Sequence, residues 1–379
     1  MTVRVGVVGC GDVLLRSYLP GLASAPDAEI VGFVDLDRSR AEQVARACVR
    51  SAPRAITYEA LDGLLHDGKL DALLNLTPAS QHAAVTREAL NAGVHVFSEK
   101  PIALTLEEAH GLRDLARNSG RQLMCAPAVM AAPRFRWLRD VVRSEILGEP
   151  TLACAHFANL GPAALRDYAG DPTVHYGELV GPLLDQGVYV LHAITGLLGH
   201  AHRVQAFGST AIPERTVRSG PRAGLQLRVA APDHVLVHIE LNNGTIAQIL
   251  SSFAVAASRT PTLEIHFTRG SISLDHPQHA NAPVDIYTVL DAANGVEGWL
   301  HNVAPVGYKP AFHDDLIALG PAHFIAAIRG EEPPLLGADL ACHALEIAVA
   351  AKRSIGESRA VELSGPAVPG GLAAARASS

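Results

Sequence analysis

Val3-Arg4-Val5-Gly6-Val7-Val8-Gly9-Cys10-Gly11-Asp12-Val13 is the stretch on which the fold turns. Residues 3–8 are a short Val-rich run that stops at a glycine, the pattern of a buried strand. Residues 12–25 follow with helical spacing at Val13, Leu14, Tyr18 and Leu22. A strand, a tight Gly-x-Gly turn and a helix, in that order, make a seat for a pyrophosphate. The glycines let the backbone turn and approach closely, and the helix start offers free N–H groups. The third glycine of the full pattern is replaced by Leu14. That position governs how closely the helix packs on the strand, so Leu predicts wider packing there and not loss of phosphate binding.

Working outward, Val31-Gly32-Phe33-Val34 reads as a second buried strand ending at Asp35. A carboxylate there accepts hydrogen bonds from the adenosine ribose hydroxyls and repels a 2′-phosphate, which favours NAD. Arg38, close by, keeps NADP as the alternative. A helix over 39–49, strands at 72–76, 94–97 and 122–125, and helices over 80–92 and 106–118 complete an alternation of short apolar strands and amphipathic helices. Such alternation means a parallel sheet covered on both faces.

The grammar changes after about residue 150. Strand-like segments at 151–158, 201–209, 225–240, 245–253, 262–267 and 271–274 are joined by turns such as Asn242-Asn243-Gly244 and Arg269-Gly270. One helix interrupts them near Gly181–Leu198, and two more lie near Phe312–Arg329 and Ala338–Ser354. The expected fold is an α/β Rossmann domain over 1–126, then an α+β domain over 127–365 with a large, mostly antiparallel open sheet. The C-terminal helices are free to pack back on the first domain. The Gly/Ala/Ser-rich residues 366–379 read as a flexible tail.

Composition excludes several classes of function. With 379 residues, 48% hydrophobic and 18% charged, the chain suits two folded domains. A formal net charge of −7, without any run of five basic residues, argues against nucleic acid as a partner. No segment reaches the roughly 18 apolar residues that span a membrane. The apolar start is too short for a signal peptide, so a cytoplasmic protein is expected. Cys10, Cys48, Cys125, Cys154 and Cys342 form no Cys-x-x-Cys, which predicts reduced, mostly buried thiols and no metal site. His313-Asp314-Asp315 reads as a helix start rather than a ligand set.

Three motifs in order carry a resemblance: Gly9-Cys10-Gly11-Asp12, then Thr77-Pro78-Ala79-Ser80-Gln81-His82, then Ser98-Glu99-Lys100-Pro101 at the end of a strand. Together with Leu147-Gly148-Glu149-Pro150 and the Phe324–Val361 region, they make nearly the whole chain resemble the Gfo/Idh/MocA oxidoreductases, in their Tyr-containing branch. The family's Asp-x-Gly-x-His is matched by Asp185-Gln186-Gly187-Val188-Tyr189, with Tyr for His. The resemblance implies NAD or NADP held by Gly9, Cys10, Gly11, Asp12, Val13, Asp35, Arg38, Thr77, Pro78, His82, Glu99 and Lys100. It also places Lys100 beside the nicotinamide.

Hydride transfer at a carbinol carbon requires a proton to move at its oxygen, and an isolated Tyr, with a pKa near 10, is a poor base. A neighbouring ammonium favours the phenolate. Lys100, Tyr189 and Asp185 are therefore the expected catalytic residues: Tyr189 as proton donor and acceptor, Lys100 polarising the substrate oxygen and tuning Tyr189, and Asp185 orienting the hydroxyl or Lys100. His192, three residues beyond Tyr189 on the same face, and Arg134, Tyr168 and Tyr176 are expected substrate contacts. Arg136, Asp167, His175, Tyr308 and Lys309 are further polar candidates, and Trp137 and Trp299 are open between packing and stacking. The resemblance implies a sugar, cyclitol or sugar-derived substrate, and a homodimer or homotetramer through the second domain's sheet. The apolar run Met124–Met130 suggests a more hydrophobic or glycosylated substrate. Two alternatives stay open: a redox-elimination glycosidase of the same fold, and a non-catalytic NAD(P)-sensing regulator.

Overall fold

In the computed structural model, residues 2–25, 27–48, 55–67, 69–166, 168, 170–178, 180–275, 278–291 and 294–364 are described. Val49, Asp167 and the tail 366–379 lie outside them. The chain divides into two compact units, Met1–Ala132 with Ala311–Cys342, and Pro133–Pro310 with the chain from His343 onward.

Unit one begins with β1 (Val3–Val8), a π turn (Leu14–Tyr18) that runs into α1 (Leu19–Ala23), and β2 (Ala28–Val34). It continues through α2 (Arg38–Ala47), β3 (Ile56–Tyr58), α3 (Leu61–Asp67), β4 (Ala72–Asn75), α4 (His82–Asn91), β5 (His95–Ser98), α5 (Leu106–Ser119) and β6 (Leu123–Cys125). All six strands pair in parallel in the order β3-β2-β1-β4-β5-β6. That is the doubly wound order, whose crevice lies beyond the carboxyl ends of β1 and β4, where the winding reverses. Leu14 is fully buried and opens the π turn, so the helix starts with a widened coil. β3 (Ile56-Thr57-Tyr58) and α3 (with Leu61, Leu64 and Leu65 at helical spacing) are additions to the expected elements, each too short to stand out in the sequence.

Unit two runs through α6 (Pro133–Arg143), β7 (Pro150–Ala158), a second π turn (Leu183–Gly187), α7 (Val188–Leu198), β8 (Ala201–Ser209), β9 (Glu214–Thr216), β10 (Gln226–Arg228), β11 (His234–Leu241) and β12 (Ile246–Ser252). β13 (Leu263–Phe267), β14 (Gly270–Leu274), β15 (Val284–Asp291) and β16 (Val296–Leu300) follow. Along the chain come next α8 (Leu316–Ile328), which lies in unit one, then α9 (Ala338–Glu357), mostly in unit two, and β17 (Val361–Glu362). The large sheet has the order β16-β15-β14-β13-β7-β12-β11-β8-β17, antiparallel except where β7 meets β12. Its central strands β11 and β12 alternate: Val235, Val237, Ile239, Ala247 and Ile249 are buried, while Leu236, His238, Ile246 and Gln248 are not. α7 packs on the buried face against β7.

One expected strand is two. The segment 225–240 breaks between β10 and β11 because Pro232 lacks an N–H for the ladder and Asp233 turns inward. There its carboxylate takes Arg215 (2.6 Å) and the Ala211 and Ile212 N–H groups. α8 belongs to unit one and packs on α1, where a Cβ on Gly21 would stand 2.1 Å from the Ala318 carbonyl oxygen. Asp315 caps α8, accepting from the Ile317 N–H and from the Ser17 hydroxyl, so the His313-Asp314-Asp315 segment is a helix start.

Candidate active site

Unit one assembles a cradle at the carboxyl ends of its strands. Gly9 sits at φ +94°, and a Cβ there would lie 2.5 Å from the Leu76 carbonyl carbon, so only glycine fits. A Cβ on Gly11 would meet nothing within 4 Å. Its backbone faces open space, as close approach by a phosphate requires. The Asp35 carboxylate accepts from the Cys10 N–H (2.7 Å) and the Asp37 N–H (2.8 Å), so the residue expected to read the ribose also braces the glycine turn. Arg38 is engaged elsewhere, 3.1 Å from Glu42 and 2.6 Å from Glu59. Arg40, which the sequence did not single out, lies 3.7 Å from Asp35 instead. Asp12 is exposed and pairs with Arg16 one turn on, and Val13 stands at the entry to the π turn. These residues fit a dinucleotide: an open glycine backbone, N–H groups at a helix start, and a carboxylate at the end of β2.

The loops after β4 and β5 are tied down from beneath. Asn75, fully buried at the end of β4, donates to the His82 carbonyl and the Thr86 hydroxyl and accepts from the Thr77 hydroxyl (2.6 Å). Pro78 stands just before the short 3-10 turn Ala79–Gln81. His82 is buried, with Nδ1 2.6 Å from the Pro101 carbonyl oxygen and Nε2 2.7 Å from that of Thr77. It bolts the two loops together, with both ring nitrogens occupied by backbone. Glu99 accepts from the Tyr18 hydroxyl (2.6 Å) and the Lys100 N–H (2.9 Å). The Tyr18 ring packs edge-on against Phe97, which meets Phe324 of α8. Burial pushes the Cys10 thiol, which donates to the Val34 carbonyl, up to about 12, so it does not serve as a nucleophile.

The apolar run Met124–Met130 has another explanation than a hydrophobic substrate. Met124, Val129 and Met130 are at most 2% exposed. Met124 bridges to Gly337, the Cys125 N–H donates to the Leu336 carbonyl, and the turn Val129–Ala131 packs on α8. These residues are apolar because they form the core of unit one.

Unit two carries Asp185 and Tyr189 on the second π turn and α7. Gln186 locks the turn to the sheet, donating to the Phe157 and Ser252 carbonyls (2.8 Å each) and accepting from the Asn159 amide (2.8 Å). Gly187 is there because a Cβ would lie 2.9 Å from the Ser251 hydroxyl. The signature Asp-x-Gly thus has a packing reason: the turn presses flat on β12 while its flanking residue projects. Asp185 lies 3.1 Å from His175. The Tyr189 ring, 4% exposed, packs edge-on against Phe157. His192 is fully buried on α7, and burial lowers it to about 3, so it stays neutral.

Two expected substrate contacts sit in packing roles. Tyr176 belongs to a small core with Ala163, Val217, Val229 and Phe253, and its hydroxyl accepts from the Ala163 N–H (3.0 Å). Arg134 is 2% exposed, donates to the Ala282 carbonyl, and lies over the Phe135 ring. Tyr168 is half-buried, with its hydroxyl 2.7 Å from His175 Nε2. Trp299 pairs edge-on with Tyr287 at the sheet margin.

The fold and the glycine cradle of unit one are those of an NAD(P)-dependent oxidoreductase. Residues 3–126 match the oxidoreductase family with an NAD-binding Rossmann fold, and residues 135–273 match the GFO/IDH/MocA C-terminal domain. The chain belongs to the Gfo/Idh/MocA family. It is 30% identical to the uncharacterized oxidoreductase ORF334 of Rhizobium meliloti, over 87% of this chain and 90% of that one. It is 32% identical to the dTDP-3,4-didehydro-2,6-dideoxy-alpha-D-glucose 3-reductase of Streptomyces violaceoruber, over 54% of this chain and 56% of that one. Among solved structures, a levoglucosan dehydrogenase in complex with NADH and levoglucosan superposes with a TM-score of 0.79 at 19% identity, over 96% of this chain and 100% of that one. No helix among the described residues is long and apolar enough to cross a membrane.

Proposed function

We propose that this chain transfers a hydride between a nicotinamide and a secondary carbinol or ketone of a sugar, cyclitol or sugar derivative. The observation that carries the reading is the retention, in one chain, of Lys100 after β5 and of Asp185 and Tyr189 on the π turn and α7. A cofactor sensor needs only the glycine cradle. The bound nicotinamide supplies the hydride donor or acceptor. Tyr189 exchanges the proton at the substrate oxygen, the Lys100 ammonium polarises that oxygen, and Asp185 orients the hydroxyl. The relatives named for a keto-deoxysugar nucleotide and for levoglucosan support a sugar-derived substrate that presents a ketone or a secondary carbinol. Asp35 supports NAD; Arg40 beside it keeps NADP within reach.

Two further parts of the reading concern setting and assembly. Five cysteines without a disulfide support a reducing cytoplasm. The open face of the large sheet, with Leu152, Phe207 and Ile246 at 37%, 62% and 48% exposure, supports a homodimer or homotetramer through that face.

The test is a panel of hexoses, inositols, levoglucosan and nucleotide sugars with NAD and with NADP, read by the NADH absorbance band. Net NADH formation supports a dehydrogenase. Turnover without it supports redox elimination, and no turnover on any member supports the regulator. Replacing Tyr189 by Phe is expected to lower kcat by about 10²–10⁴ while leaving NADH affinity intact; an unchanged kcat removes Tyr189 from the mechanism.

A further inference from the structure

Asp185 is held from within its own unit by a residue that the proposed chemistry does not use. His175 ends a 3-10 turn (Pro172–His175) and sets Nδ1 3.1 Å from Asp185 Oδ1, in a bent contact. Its other nitrogen, Nε2, lies 2.7 Å from the Tyr168 hydroxyl, and the two rings meet edge to face. The His175 and Asp185 side chains are 17% and 16% exposed, so solvent screens this series of groups weakly. His175 Nδ1 is buried, makes no hydrogen bond among the described residues and stands beside the Asp185 carboxylate; when the Nε2 lone pair accepts the Tyr168 O–H, the ring proton sits on Nδ1, on the side of that carboxylate.

Both ends of this chain are pinned independently. Asp171 caps the 3-10 turn through the Thr173 N–H (3.0 Å) and pairs with Arg222 (2.8 Å), and the next residue, Tyr176, is anchored in the small core. On the other side, the three Gln186 hydrogen bonds fix the turn that bears Asp185. A contact between two immobilised elements sets the orientation of the groups that make it. From this geometry we infer that His175 is a positioning residue for Asp185, holding its carboxylate in one orientation, with Tyr168 selecting the tautomer in which it does so. The inference rests on the assignment of Asp185 made above.

The test uses isotope-labelled full-length protein at a pH above the imidazole range. Long-range proton–nitrogen correlations report the tautomer, with the His175 signals identified by their loss in His175→Asn. The expected result is a dominant Nδ1–H form that loses its preference in Asp185→Asn and in Tyr168→Phe. A His175 in the ordinary Nε2–H form, indifferent to Asp185→Asn, overturns the inference. Kinetics on the best polyol of the panel add a second reading. His175→Ala is expected to lower kcat roughly 10- to 100-fold, the scale of outer partners that orient a reacting group, with NADH affinity unchanged. His175→Asn, whose amide nitrogen takes the place of Nδ1, restores most of it; His175→Gln, whose amide takes the place of Nε2, does not. If His175→Ala does not fold, the Asn and Gln pair still decides. An intact kcat in His175→Ala with turnover lost in Asp185→Asn overturns the positioning role and leaves Asp185 assigned. An intact kcat in Asp185→Asn removes the assignment, and the inference falls with it.

Discussion

Gly9 has little freedom to change. Its φ of +94° costs an L side chain about 1–2 kcal/mol, and the Leu76 carbonyl stands where a Cβ would go. Gly9→Ala is expected to lose about 2–4 kcal/mol by urea denaturation. A variant as stable as the parent would show that the turn relaxes freely. His192 gives a pH dependence with a definite sign. Burial holds it at about 3, against an ordinary 6.5. The folded chain therefore keeps it neutral while the unfolded chain binds a proton below 6.5. Its contribution is full above that pH and is lost as the pH falls from 6.5 toward 3, by up to about 1.4 kcal/mol per pH unit. His95 and His156, both lowered by burial, act in the same direction. Denaturation curves at neutral and mildly acidic pH should show a shallower loss in His192→Leu than in the parent; equal slopes would place the acid sensitivity elsewhere.

At the scale of elements, each unit carries a π turn, Leu14–Tyr18 after β1 and Leu183–Gly187 before α7. The second depends on Gln186. In Gln186→Leu the Phe157 and Ser252 carbonyls lose their donor, and a cost of about 1–3 kcal/mol is expected in thermal unfolding; an unchanged Tm would mean that the turn holds by packing alone. The Rossmann elements were legible because each strand is a short apolar run punctuated by Gly or Asp, a local signal. Gly9, Gly11 and Asp35 announce themselves by spacing. What escaped reading depends on distant partners. Asn75 and Tyr18 look like ordinary strand and helix residues until Thr86 and Glu99 meet them. The break in 225–240 starts at Pro232, but the inward turn of Asp233 answers to Arg215, and the burial of Arg134 and Tyr176 follows from Ala282 and Phe253. Arg40 rather than Arg38 reaches Asp35 because Glu42 and Glu59 take the latter. Apart from Glu42, four residues from Arg38 on α2, none of these partners lies within a helical or strand repeat of its mate.

For the whole molecule, sequence pattern and family agree on a parallel nucleotide-binding unit and a mostly antiparallel sheet with one open face. Light scattering is expected to give a dimeric or tetrameric mass that falls to the monomer in Phe207→Glu combined with Leu152→Glu. A monomeric parent would leave the open face for another partner. The most direct measurement is NADH formation by the parent chain and by Tyr189→Phe, with NAD and each polyol of the panel. The expected result is NADH in proportion to oxidised polyol for the parent and a rate lower by orders of magnitude for the variant, both binding NADH equally. Product without NADH, or equal rates in the two chains, would contradict a dehydrogenase that works through Tyr189.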